Sequence, residues 1–158
     1  MDSLMTVLTA ATPNFPGKAP LAELEQFPYL TAIIYEVLRT SCVVSYRLQR
    51  VCPDQTTSFH EWSLPPGTPV STTPTLIPDN AVIFPDPNSF KPERWLPLDT
   101  EGKRLQKFLA PFSKGSRQCL GKSLAYAELY MAFAAIFGEF GSKMRLVDTV
   151  GEGCRCVA

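Results

Sequence analysis

FSKGSRQCLG, residues Phe112–Gly121, sets one cysteine between two glycines and beside an arginine, directly before an alanine-rich apolar stretch with helical spacing. A helix N-terminus presents unpaired N–H groups and the positive end of the macrodipole, and both favour an anion. A cysteine placed there, as Cys119 is, has its thiolate form favoured. Arg117 adds a permanent positive charge two residues earlier, in a fork that suits carboxylates. Gly115 and Gly121 lack a Cβ, so the backbone can turn tightly and a flat body can approach closely, and Phe112 supplies an aromatic plate. Together these residues describe a thiolate loop with room for a planar ligand bearing carboxylates. Taken singly, Cys119 reads equally well as a buried free cysteine before a core helix. A nucleophilic Cys/His pair is disfavoured, because the single histidine, His60, lies far away with no local signature of such a pair.

Downstream of the loop, Leu120, Leu124, Ala127, Met131 and Ala134 keep spacings of four and three, which predicts one face of a helix to about Phe137. Gly138 and Gly141 then mark its end. Upstream, 10 of the chain's 15 prolines fall between Pro53 and Pro97, which excludes long helices there. Short extended pieces remain, at Ser45–Val51, Thr68–Thr73 and Ala81–Phe84, with LPPGTPV reading as a turn that enters a strand. Further upstream, Ala22–Thr40 is helical with a break at Pro28; Leu30, Ile33, Ile34, Val37 and Leu38 share one apolar face. Glu36 and Arg39 fall on the other face, one turn apart. On periodicity alone they read as a surface contact worth about 0.2–0.5 kcal/mol.

Composition narrows the function classes. A chain of 158 residues is about one domain, and 15 basic against 15 acidic side chains give no field that would select nucleic acid or an anionic membrane. No window approaches the run of about 18 apolar residues needed to span a bilayer, and the N-terminus lacks the basic and apolar regions of a secretory signal. The chain therefore reads as soluble, or as a piece of something anchored elsewhere. The five cysteines, Cys42, Cys52, Cys119, Cys154 and Cys156, are odd in number and irregular in spacing, which argues against a disulfide scaffold. Cys154 and Cys156, with only the distant His60, cannot complete a structural zinc site.

FSKGSRQCLG resembles, at every fixed position, the haem-binding loop F-x-x-G-x-R-x-C-x-G of the cytochrome P-450 monooxygenases. EVLR, Glu36–Arg39, is similar to that family's E-x-x-R helix, and FKPERW, Phe90–Trp95, to its P-E-R-W/F meander, in the same order. The segments LEQFPYLTAIIYEVLRT, LPPGTPV and FPDPNSFKPERW look most like the microsomal-type, especially fungal, branch. The resemblance covers about residues 20–147 of a single partial domain, 1–158, with 148–158 as a divergent tail.

The resemblance implies a mainly α fold with a small β-sheet (α+β), the C-terminal portion of the cytochrome P-450 fold: E-x-x-R helix, meander, cysteine loop and a following long helix. It implies haem b as cofactor, with Cys119 as axial ligand of the iron, Arg117 on a propionate, Phe112 shielding the proximal face, and Gly115 and Gly121 permitting the turn and the close approach of the next helix. Glu36, Arg39 and Arg94 would form a buried charge cluster that acts on folding and haem retention, which reverses the surface reading of Glu36 and Arg39. The implied reaction inserts one oxygen atom from O2 into a small organic substrate, with electrons from an NADPH-dependent reductase, in fungal secondary metabolism. Intact relatives are anchored to the endoplasmic reticulum membrane by an N-terminal helix that is absent here. The long central helix with its A-G-x-[DE]-T stretch is also missing, and VGEGCRCVA departs from the family at the C-terminus. A truncated, catalytically inactive remnant is therefore the alternative expectation.

Overall fold

The computed structural model describes residues 19–41, 44, 46–73, 76–96 and 101–140. Cys42, Ser45, Gly141, Cys154, Cys156 and the 148–158 tail, all named above, lie outside the described residues.

Pro28 divides the first helical stretch as its chemistry dictates. A proline has no N–H to give to an intrahelical bond, so it sits at a helix start and not inside one. A single turn, α1 (Leu21–Leu24), ends before it, and α2 (Pro28–Thr40) begins with it. Helix α2 is buried on more than one side: Leu30, Thr31, Ala32, Ile33, Ile34, Glu36 and Arg39 are all withdrawn from water. Leu30 and Ile34 join Leu24, Tyr130 and Ala134 in one apolar core. Ala32 joins Phe84, Trp95 and Leu105 in a second. Helix α2 is thus the partition between the two cores, which places the acid and base of EVLR in the interior.

The proline-rich middle forms two small antiparallel pairs instead of one sheet. Strands β1 (Arg50–Val51) and β4 (Pro69–Val70) pair Arg50 with Val70, while β2 (Thr57–Phe59) and β3 (Trp62–Leu64) form a hairpin in the register Phe59 to Trp62. The hairpin turns through His60, which takes a positive φ of 51°, and Glu61. Neither residue carries the Asn-Gly or Asp-Gly signal of a tight hairpin, so it is invisible to sequence reasoning. Within the expected strands at Ser45–Val51 and Thr68–Thr73, only Arg50–Val51 and Pro69–Val70 are extended and paired among the described residues.

The expected strand Ala81–Phe84 is a turn. Asn80 claims its backbone: the Asn80 carbonyl accepts the N–H groups of Ile83 and Phe84 at 3.1 and 2.8 Å, and its side-chain Oδ1 accepts that of Val82 at 2.9 Å. A side chain that bonds its own neighbours offers the backbone an alternative to a ladder. Phe84 is delivered by this turn into the second core, fully buried with its ring 5.9 Å from that of Trp95. A 3-10 turn over Pro92–Trp95 and the short α3 (Glu101–Gln106) complete that core's cover.

Helix α4 (Lys122–Phe140) runs past the expected end at Phe137, with Gly138 inside it. The face it buries overlaps the expected one only in part. Leu120, Leu124 and Met131 are 102%, 64% and 56% exposed, whereas Tyr130 and Ala134 are buried, with Tyr126, Leu129 and Phe133 packed beside them. Of the expected stripe Ala134 is buried and Ala127 half-buried; the rest of the contact with α1 and α2 is made largely by the aromatic side chains. No helix among the described residues is long and apolar enough to cross a membrane.

Candidate functional site

Two groups of sequence-predicted residues are brought together. The first centres on Glu36, which is fully buried, and Arg39, 4% exposed. Arg39 meets the carboxylate with both prongs: Nε donates to Oε2 and Nη2 to Oε1, each at 2.9 Å. Arg94 arrives from the Pro92–Trp95 turn and donates from Nε to Oε1 at 3.2 Å. The backbone N–H of Lys91 reaches Oε1 at 2.9 Å, and the indole Nε1–H of Trp95 reaches Oε2 at 3.0 Å. A buried carboxylate is tolerated only when paired and hydrogen-bonded, and Glu36 accepts five bonds from two elements far apart in sequence.

The arginines spend their remaining donors on backbone oxygens. Arg39 gives Nη1 to the carbonyl of Pro78 and Nη2 to that of Ser89, while Arg94 gives Nη1 to Pro85 and Nη2 to Asp86 and Ser89. The guanidinium of Arg39 also lies 5.5 Å from the centre of the Phe84 ring. The carbonyls of Pro78, Pro85, Asp86 and Ser89 are therefore tied to the Glu36 cluster through charge, in a segment that has no strand ladder to hold it. Sequence reasoning found the three charges but missed Trp95 and the Lys91 amide; the adjacency of Trp95 to Arg94 in PERW was the available signal.

The second group is the Cys119 loop. Gly115–Arg117 make a single 3-10 turn, entered through positive φ at Ser113 (61°) and Gly115 (79°). The turn is closed by Gln118 N–H to the Gly115 carbonyl at 3.2 Å, and the loop by Cys119 N–H to the Phe112 carbonyl at 2.9 Å. Lys114 pins the outside by donating its ammonium to the carbonyl of Lys107. Phe112 is half-buried, its ring 5.4 Å from that of Tyr126 on α4.

Cys119 is a free and exposed thiol, not a buried core cysteine. It stands three residues before α4, whose first turn is opened by Ala125 N–H bonding the Gly121 carbonyl at 2.9 Å. Arg117 is exposed and has no ion-pair partner among the described residues. At Gly121 an added Cβ would meet nothing nearer than Cys119 Sγ at 3.9 Å, an ordinary contact, so no neighbouring helix presses on it among the described residues.

This loop suits a ligand that brings most of its own coordination. Among the described residues no three of His, Cys, Asp or Glu stand together to hold a metal ion. A lone exposed thiol beside an exposed guanidinium would suit instead a metal that a carboxylate-bearing macrocycle already holds.

Comparison with known proteins gives a concordant result. Residues 11–150 match the family model described as Cytochrome P450. The chain is 44% identical to the Cytochrome P450 monooxygenase tpcC of Cochliobolus heterostrophus, over 96% of this chain and 29% of that protein. It is 42% identical to the Cytochrome P450 monooxygenase claJ of Penicillium crustosum, over 97% of this chain and 34% of the relative. Against the Fusicoccadiene C-8 hydroxylase of Phomopsis amygdali the identity is 39%, over 86% and 26%. The chain thus spans about a third or less of the length of these curated relatives.

Proposed function

Because this chain belongs to the cytochrome P450 family, we propose that it forms the haem-thiolate side of a fungal monooxygenase, with Cys119 as the iron's protein ligand. The observation that carries the proposal is the free, exposed Cys119 thiol on a closed loop beside the exposed Arg117. The family carries haem; haem b is the form proposed here. When bound, haem supplies O2 activation, with insertion of one oxygen atom into an organic substrate and electrons from a redox partner, proposed as an NADPH-dependent reductase.

The chain's own residues hold and orient that group. The Cys119 thiolate would hold the iron, and a thiolate ligand would push electron density toward the metal. Arg117 offers a carboxylate its planar fork. Phe112 sets the loop against α4 and would cover one face of the bound group, and Gly115 supplies the left-handed backbone that lets the loop close. Glu36, Arg39 and Arg94 act at a distance, by fixing the prolyl meander to α2. Their role is in folding and haem retention, not in proton or oxygen chemistry. These parts together correspond to the C-terminal portion of the family's fold. The names of the relatives support a place in secondary metabolism, since one is a synthase of conidiogenone and another a hydroxylase of fusicoccadiene at C-8.

The test is a spectrum of the haem-supplied protein, reduced under carbon monoxide, beside Cys119→Ser. A red-shifted thiolate band that the substitution abolishes supports the proposal. Absence of that band in the unsubstituted protein defeats it.

A further inference from the structure

The two groups of site residues are joined by a continuous line of rings. Trp95, whose indole N–H holds Glu36, meets Tyr35 edge-on with ring centres 5.5 Å apart. Tyr35 in turn meets Tyr126 of α4 edge-on at 6.2 Å, and Tyr126 meets Phe112 at 5.4 Å. The carbonyl of Phe112 then accepts the N–H of Cys119 at 2.9 Å. Tyr35 packs on one apolar core and Tyr126 on the other, so their contact also bridges the two.

The loop needs such an anchor. Residues 114–120 are all exposed, and the two positive φ values at Ser113 and Gly115 hold the backbone in a region that local chemistry does not favour for serine. Phe112 is the aromatic side chain by which the loop reaches the interior, and the ring it meets there is Tyr126. Burial, with the neighbouring Tyr35 and Tyr130, pushes the Tyr126 hydroxyl up to about 12, in keeping with a side chain withdrawn from water.

We propose that Tyr126 is a positioning residue for Cys119, passing to the loop, through Tyr35 and Trp95, the fixed geometry of the Glu36 cluster. The functional weight of this inference rests on Cys119 being the iron ligand; the positioning itself does not. Edge-to-face aromatic contacts are favourable beyond the area they bury, and local openings are governed by such contacts.

Amide hydrogen exchange on the full chain without haem reads the loop directly, at the N–H of Cys119. Tyr126→Leu is expected to speed that exchange roughly three- to tenfold, and Tyr126→Phe, which keeps the ring, to restore the unsubstituted rate. Tyr35→Leu, one ring further from the loop, should also speed it. Tyr130→Leu removes a buried ring outside the line, together with its hydroxyl contact to Thr31 at 2.7 Å, and should leave Cys119 unchanged relative to the amides of α2. An unchanged Cys119 rate in Tyr126→Leu, or a rise no larger than that across α2, overturns the inference. Should the leucine variants not fold, the unsubstituted chain decides: the Trp95 indole proton and the Cys119 amide should show the same dependence on denaturant, and different slopes overturn it. The carbon monoxide spectrum judges the ligand separately. A thiolate band together with exchange indifferent to Tyr126 sinks the positioning role alone, whereas ring-dependent exchange without a band sinks the ligand role alone.

Discussion

Trp95 donates its indole N–H to Glu36 Oε2 at 3.0 Å, so the aromatic residue of PERW is a polar partner of the buried carboxylate as well as a core side chain. With Arg39, Arg94 and the Lys91 amide it completes a cage of five donors on one acid. Glu36→Ala would strand two guanidinium groups whose side chains are 1% and 8% exposed. The expected loss is about 3–5 kcal/mol, read as a lowered urea midpoint, with haem content falling before any rate changes. Glu36→Gln should lie between, because its amide keeps one acceptor oxygen.

Trp95→Phe separates the polar part from the packing. Phenylalanine keeps most of the apolar volume against Phe84 and Tyr35 but cannot donate to Oε2. A hydrogen bond to a charged group is worth about 1.5–3 kcal/mol, and a loss in that range by urea denaturation is expected. The same substitution at Trp62, 64% exposed on the hairpin, should change stability by less than about 0.5 kcal/mol.

What the sequence revealed and what it hid follow from the range of the interactions concerned. The break at Pro28 and the loop from Phe112 to Gly121 are local effects of proline, glycine and chain direction, and both were legible. Glu36 and Arg39 were legible as a pair by spacing, but their burial was not: it depends on Arg94, Trp95 and Lys91, which arrive more than 50 residues later. Only the resemblance supplied that. The hairpin was hidden because His60 and Glu61 carry no turn signal, and the turn at Asn80 because an apolar run of four looks like a strand until its acceptors are known. For α4 the spacing pointed to one apolar stripe, of which Ala134 is buried while Leu124 and Met131 are exposed, and nothing local says that the neighbouring aromatic side chains would meet α2 instead.

That ambiguity can be tested on α4 itself. Leu124→Gln and Met131→Gln alter side chains that are 64% and 56% exposed, and each should shift stability by no more than about 0.5 kcal/mol. Tyr130→Ala, on the stripe that α2 covers, should cost about 3 kcal/mol or more through the cavity it leaves. Thermal or urea unfolding of the three variants distinguishes the faces, and equal losses at all three would place the buried stripe wrongly.

Alkaline pH should loosen the fold through its withdrawn tyrosines, Tyr29 and Tyr126 foremost, with Tyr35 and Tyr130 raised in the same sense by burial. Burial first, then the neighbouring Tyr35 and Tyr130, raises Tyr126 from the usual 10.0 to about 12. Burial first, then the 2.9 Å hydrogen bond to Glu93 and its charge, raises Tyr29 equally. The unfolded chain gives up these protons near pH 10, while the folded chain keeps them until about 12. The unfolded state therefore binds fewer protons in that window, and stability falls as pH rises through it. Below about pH 10 the contribution is present in full. Urea midpoints taken at about pH 9 and about pH 11 should differ in that sense, and Tyr29→Phe should reduce the difference by removing one of these protons.

The two glycines of the Cys119 loop should behave differently when given a methyl group. At Gly115 φ is +79° and a Cβ would find open space, so Gly115→Ala is penalised by backbone conformation alone. A left-handed alanine costs about 1–2 kcal/mol, and relief of that cost requires the loop to change shape where Gln118 N–H meets the Gly115 carbonyl. Gly121 lies outside the left-handed region, and its Cβ would sit 3.9 Å from Cys119 Sγ. There the methyl group restricts the unfolded chain, and a gain of about 0.4–1 kcal/mol is expected. The cost of Gly121→Ala should appear instead at the thiol, as weaker haem incorporation in a chain that is no less stable. A thiolate band undiminished in Gly121→Ala but lost in Gly115→Ala would mean that loop conformation, and not the space beside Sγ, governs how Cys119 meets its ligand.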